Sequence, residues 1–138
     1  MLKNLNPLLG PELLFTLRAM GHGDEIAIVD GNYPADAHAQ RVVRADGHHA
    51  GAILDAVLSV MTLDDFVDQA AFAPWTAEVQ PVHENFRRIV KIHEPHIEVA
   101  TLKGEEFYNR VRSCYAIIAT SEPALYGNIV LRKGVVRP

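Results

Sequence analysis

The chain has 138 residues, 49% of them hydrophobic and 22% charged, with a formal net charge of -4. That size and apolar content suit one domain around one core, and the Lys and Arg residues, scattered through an acidic chain, offer no basic patch to a phosphate backbone, so nucleic acid is not expected as a partner. Cys114 is the only cysteine, which excludes an intrachain disulfide framework and fits a reducing, cytoplasmic setting, while Pro7, Gly10 and Pro11 interrupt "LNPLLGPELL" before a signal-type core or membrane span can form.

"GPELLFTLRAMG" predicts a first helix over 11–20. Pro11 suits its first position, Glu12 complements the dipole, Leu13, Leu14, Leu17 and Met20 share a face, and Gly21 offers a left-handed end. "EIAIV" is apolar at nearly every position and rich in β-branched residues, as in a strand covered on both faces, and "DGNYP" after it is turn chemistry. The span from Gly31 to Gly47 reads as the longest irregular stretch, of a length that often carries function. Ile53, Leu54, Val57, Leu58 and Met61 recur at helical spacing, and "FVDQAAFA" follows as a strand bounded by Pro74. In "PVHENFRRIVKIH", Val82, Phe86, Ile89 and Val90 share a face until Pro95 stops the helix. "HIEVATL" then reads as extended, "GEEFYNRVRSC" as a helix, "YAIIAT" as a strand and "YGNIVLRKGVV" as one or two more. Strands alternating with helices of this length predict a layered α/β domain, 1–138, with a largely parallel sheet whose closing strands are free to run reversed.

Several chemistries find no signature. Ser59, Ser113 and Ser121 stand in no G-x-S-x-G setting, and Cys114 falls at a helix–strand junction with a buried look. Neither a P-loop nor a dinucleotide fingerprint follows a strand. The seven histidines include adjacent His48 and His49, and His93 and His96 on either side of Pro95, but no H-E-x-x-H; surface histidines explain them better than a metal site.

Three polar groups at predicted strand ends remain. His22, between two glycines, is a candidate general acid or base, or equally a cap on the end of helix one. Asp30 ends an apolar strand where open α/β sheets hold ligands, and an Asx-turn opening "DGNY" explains it as well. Tyr126, Gly127 and Asn128 offer a phenol and an amide around a glycine that lets a ligand approach, or simply a turn.

Taken together, "GHGDEI" with the "VD" at 29 and 30, "RADG" at 44–47, "FYNRVRSCYAIIAT" at 107–120 and "YGNIVLRKGV" at 126–135 resemble the D-ribose pyranase and L-fucose mutarotase family, in the family's order and over nearly the whole chain. "YGN", "FY" and "KGV" favour the fucose branch. The resemblance implies a three-layer α/β/α fold with a mixed, mostly parallel sheet and a ring-shaped homo-oligomer, often a decamer, with sites at subunit contacts. It further implies His22 as proton donor and Asp30, Tyr126, Gly127 and Asn128 as monosaccharide-binding positions. At one position the chain departs: where the family usually offers His or Arg before the "FY" helix stands Gly104, with Lys103 beside it as a possible substitute.

The activity so implied opens the ring of L-fucose or a related aldose by acid–base catalysis and recloses it on either face, without cofactor or metal, with pyranose–furanose exchange as a further possibility. A non-catalytic sugar-binding or regulatory module is the alternative, and a metal-dependent lyase or hydrolase a weaker third. Fully extended, residues 22 to 30 would span roughly 26 Å, too far for His22 and Asp30 to share one sugar. Either the "GHGD" loop curls back along the strand, or two subunits bring the pair together.

Overall fold

The run of Ile26, Ala27, Ile28 and Val29 has no polar face to give to water, and it is fully buried as the heart of a six-stranded sheet. In the computed structural model, which describes Met1–Pro138, the elements follow in the order α1 (Pro11–Ala19), β1 (Glu25–Val29), α2 (Ala35–His38), β2 (Val42–Ala45), α3 (Ala50–Leu58), β3 (Ala71–Pro74), α4 (Pro81–His93), β4 (Ala100–Leu102), α5 (Gly104–Ser113), β5 (Ala116–Thr120) and β6 (Ile129–Arg132). Strand order is β2-β5-β1-β6-β3-β4. All neighbours are parallel except β6, which runs antiparallel to both β1 and β3.

Strand alternation divides the core in two. Ile26, Ile28, Ile118, Ile129 and Leu131 face one way, onto Leu13 and Leu17 of α1, Ile53, Leu54 and Val57 of α3, and Phe86 and Val90 of α4. Ala27, Val29, Ile117 and Val130 face the other way, onto Phe107 and Val111 of α5 and Ala35 of α2. Each fully buried Ile or Leu contributes about 1.5–3 kcal/mol of transfer free energy. The result is the expected three-layer α/β/α arrangement with a mixed, mostly parallel sheet.

Local expectations needed correction at several points. The 31–47 stretch is not irregular throughout: it contains α2 and the edge strand β2, whose Val42 and Val43 pair with Ile117 and Ile118. "FVDQAAFA" becomes extended only from Ala71, because the Phe66 amide turns back to donate to the Asp64 carboxylate (3.1 Å). Pro74 does not lie beyond the strand but ends it, and Trp75 takes over the ladder by donating to the Leu102 carbonyl (2.8 Å). Helix α1 ends at Ala19 with Met20 extended, so Gly21 is not its left-handed terminus; Gly23 is the glycine at positive φ, +86°. "YGNIVLRKGVV" supplies one strand, β6, followed by an isolated bridge from Lys133 to Leu63.

That bridge fastens the segment before β3 to the end of β6. The Gly134 amide donates to the Thr62 carbonyl (2.8 Å), and a Cβ on Gly134 would stand 2.4 Å from the Leu63 carbonyl oxygen, which is backbone and cannot swing aside. Gly134→Ala should therefore destabilise the fold by about 1–3 kcal/mol, the usual cost of overpacking. Thermal unfolding checks this; an unchanged melting temperature would mean that the segment yields freely.

Candidate functional site

The polar groups singled out in the sequence divide between the two edges of the sheet. His22 lies at the edge where β1 begins and β6 ends, since Glu25 pairs with Arg132 there. Its ring bonds to no carbonyl of α1: the Lys133 ammonium donates to Leu17 (2.7 Å) and Met20 (2.5 Å) at that helix end. His22 is about half exposed, and its Nε2 lies 3.0 Å from Oδ1 of fully buried Asp64. A carboxylate can only accept, so Nε2 carries the proton, and in the neutral ring Nδ1 holds the lone pair.

Asp64 sits 42 residues from His22 in sequence and belongs to no motif, so nothing in the sequence pointed to it. Burial works to raise its carboxyl pKa, but hydrogen bonds from Arg132, the Phe66 amide and His22 outweigh burial and bring it down to about 2. The carboxylate therefore stays ionised at any working pH. Arg132 donates to Asp64 through Nε (2.8 Å) and lies 3.8 Å from Glu25, which Arg110 grips with two hydrogen bonds of 2.9 and 2.6 Å. Gly23 borders this chain of charges at φ +86°, where a side chain would be strained, and its Cβ would lie a tight 3.1 Å from the Arg132 guanidinium. Next to the network opens a polar cleft of about 630 Å3, walled by Gly23, Glu25, Gln40, Asn109, Arg110 and Arg132.

Asp30 stands at the opposite edge, just past the end of β1. From Asp24 to Asp30 the strand rise alone amounts to roughly 20 Å. The "GHGD" loop does not curl back along β1; it closes on itself, with the Gly21 amide donating to Asp24 (2.8 Å). Asp30 does form the Asx-turn, accepting from the Asn32 amide (2.9 Å), and its own amide donates to Asn128 Oδ1 (2.8 Å). Gly127 brings the turn against the sheet: a Cβ there would meet Glu122 Cγ at 2.8 Å and Asp30 Cβ at 3.5 Å, so the space is already filled by the chain itself. Glu122, which the sequence reading missed, is buried, caps α3 by accepting from the Ala50 amide (3.1 Å), and accepts from Ala124 (3.0 Å). As a carboxylate just past a strand end, it carried the same signal as Asp30.

Tyr126 is half exposed and holds a left-handed backbone, φ 60°. Its carbonyl accepts from the Asn128 amide (2.7 Å) and from Nε2 of His83 (2.7 Å). His83 is not a surface histidine but a buried one, in the first turn of α4. Lys103, next to β4 on this same edge, places its ammonium 4.8 Å over the Trp75 ring. Gly104 starts α5 at φ +46° with no atom near a would-be Cβ, so an Arg or His there would have room but a strained backbone. Asp30, Tyr126, Gly127, Asn128 and Lys103 thus gather on one edge and His22 on the other. Among the histidines, cysteine and carboxylates, no group of three could hold a metal ion, and no helix is long and apolar enough to cross a membrane.

Residues 3–136 match the model of the RbsD/FucU transport protein family. The human fucose mutarotase is 39% identical over 145 residues, spanning 98% of this chain and 94% of its own. Among solved structures, the fucose mutarotase of Streptococcus pneumoniae in complex with L-fucose superimposes with a TM-score of 0.94 at 37% identity, covering 99% of this chain and 100% of that one. FucU from Bifidobacterium longum gives 0.91 at 37% identity, covering 98% and 100%.

The burial of His83 has a consequence for pH. Burial holds its pKa below the ordinary 6.5, so as pH falls through that value the unfolded chain takes up a proton before the folded one does. Stability is complete above about 6.5 and declines below it until the lower folded-state pKa is reached. Between about pH 7.5 and about pH 5.5, the melting temperature should fall further in the native chain than in His83→Gln. Parallel curves would show that His83 accepts a proton without loss.

Proposed function

We propose that the chain, which belongs to the RbsD/FucU transport protein family, is a cofactor-independent sugar mutarotase that interconverts the α and β anomers of L-fucose or a related aldose. The observation that carries this reading is the His22–Asp64 pair, a half-exposed imidazole held at 3.0 Å by a buried carboxylate that Arg132 also grips, in a fold that matches a fucose-bound mutarotase at a TM-score of 0.94.

Ring opening needs a proton delivered to the ring oxygen and one removed from the anomeric hydroxyl. The free aldehyde then turns, and closure reverses both transfers. His22 suits the donor's part when its ring is protonated on both nitrogens: the Nε2–H bond to Asp64 orients the imidazolium and offsets its charge, and the Nδ1–H is the proton given to the ring oxygen, after which Nδ1 is left with its lone pair. Asp30 and Asn128 suit hydroxyl binding: the Asn32 and Asp30 backbone amides occupy one oxygen of each side chain, leaving the second carboxylate oxygen and the amide N–H2 for a ligand. Tyr126 adds a phenol.

One sugar cannot touch both edges of β1 in the same subunit. The reading therefore includes self-association, in which the His22 edge of one copy closes over the Asp30 edge of the next, in a ring-shaped homo-oligomer of decameric or related size. Exposed apolar side chains beside both half-sites support it: Phe66 packs on the His22 ring at 5.4 Å between centroids, and Leu125 and Trp75 flank Tyr126. Cys114 is buried, and its thiol is pushed well above the usual range by that burial, in keeping with a cytoplasmic enzyme that makes no use of it.

His22→Ala should keep the fold, since the side chain is half exposed and Asp64 keeps its bonds from Arg132 and the Phe66 amide, while anomeric exchange read by saturation-transfer NMR falls by roughly 10²–10⁴-fold. Asp64→Asn should slow exchange with sugar affinity nearly intact. Normal exchange in a folded His22→Ala protein would remove the mechanism, and sugar binding without exchange in the native chain would leave a binding module instead. The shared site has its own test. His22→Ala and Asp30→Asn, each inactive, should recover activity when co-expressed, because about a quarter of the contacts in a randomly mixed cyclic assembly would pair two intact edges. Mixed assemblies without recovery would place both residues' work within one subunit.

A further inference from the structure

Trp75 is the chain's only tryptophan, and nearly half of its surface, 48%, is open to solvent. No core position requires it. The chain leaves β3 at Pro74, and the Trp75 amide donates to the Leu102 carbonyl, which fixes the backbone just past the strand end. Across the opening stands Tyr126, also 48% exposed, whose backbone is locked by the bond from buried His83. Between them lies a pocket of about 380 Å3, walled also by Thr76, Glu78 and Gln80. The Lys103 ammonium lies 4.8 Å over the Trp75 ring, and no residue from the start of α5 lines the pocket. Two exposed aromatic rings with a few polar groups around a pocket of this size make a small-molecule binding surface.

We propose that Trp75 is a specificity-determining platform: the apolar C–H face of the sugar stacks on the ring face that Lys103 leaves open, opposite Tyr126, while Glu78 and Gln80 meet its hydroxyls. The inference rests on the mutarotase reading for the identity of the ligand as a neutral aldose. The C–H bonds on one face of a pyranose carry partial positive charge, and the face of an indole ring is negative, so stacking is attractive beyond the area it buries. Glu78 accepts from hydroxyls and would repel a sugar acid. An aromatic platform also gives a physical reason why this chain can do without a charged side chain at position 104: grip on the sugar's apolar face replaces a charged hold on its hydroxyls.

Because Trp75 is unique, its fluorescence reports the pocket directly in the unaltered protein. Titration with L-fucose and other neutral aldoses should give a saturable change in emission, which persists in His22→Ala, where exchange is lost. Trp75→Ala should raise the sugar concentration for half-maximal exchange about tenfold, with the maximal rate within about twofold, and Trp75→Phe should restore most of the affinity. Exchange without any emission change, or with the same half-saturation in Trp75→Ala, overturns the platform and leaves the mutarotase reading standing. Saturable emission change without exchange in the native chain keeps the platform and removes the enzyme. If neither signal is seen with any neutral aldose, both fall.

Discussion

The architecture turns on one short strand set against the direction of its neighbours. β6, four residues long, lies antiparallel between β1 and β3 and joins the two parallel halves of the sheet into one. Its direction also places chemistry at both edges. Asn128 precedes it beside Asp30, whereas Arg132 ends it and Lys133 follows at the far edge, holding Asp64 and the end of α1. Had β6 run parallel, Asn128 would fall beside Glu25 and Arg132 beside Asp30, and both half-sites would lose their partners.

At the far edge, charge is used for position. Asp64, Arg132, Glu25 and Arg110 form a continuous series of opposite charges, anchored in part by Arg110 lying 3.7 Å over the Phe72 ring. Taking a carboxylate out of water is costly unless its lone pairs are occupied. Arg132, the Phe66 amide and His22 occupy those of Asp64, so the residue that orients His22 is itself fixed from three directions. The imidazole inherits that fixity on one nitrogen only.

What the sequence made legible follows from how local its causes are. The β1 run, the helix beginning at Pro81 and the "GEEFY" helix were readable because apolar spacing, Pro at a first helical position and acidic first turns act within a few residues. The place of Asp30 past the end of β1 was readable because an apolar run that stops at a carboxylate and a glycine marks a strand end and a turn. Asp64 was not: it reaches His22 only because Lys133 bridges to Leu63, a pairing 70 residues apart that no local pattern encodes. His83 was read as a surface residue because helical spacing counted Val82 toward the buried face, while the turn at Tyr126, whose carbonyl draws the imidazole inward, is 43 residues away. The short edge strand β2 was lost for a related reason, since its pairing comes wholly from β5.

The proposed reaction explains why so little apparatus suffices. Mutarotation consumes no proton overall: one is given to the ring oxygen, one is taken from the anomeric hydroxyl, and closure reverses both. Nothing has to be stored between turnovers, neither charge nor a covalent bond, so the requirement is that a donor and an acceptor face one sugar with settled tautomers. Rigid elements meet that requirement better than reactive ones. That is the pattern of this molecule, in which the thiol is buried and inert while glycine, arginine and carboxylate hold a single histidine in place. The remaining discrimination, between one aldose and another, then falls to the surfaces that touch the sugar away from its anomeric carbon, and those surfaces are free to vary without disturbing the proton transfers.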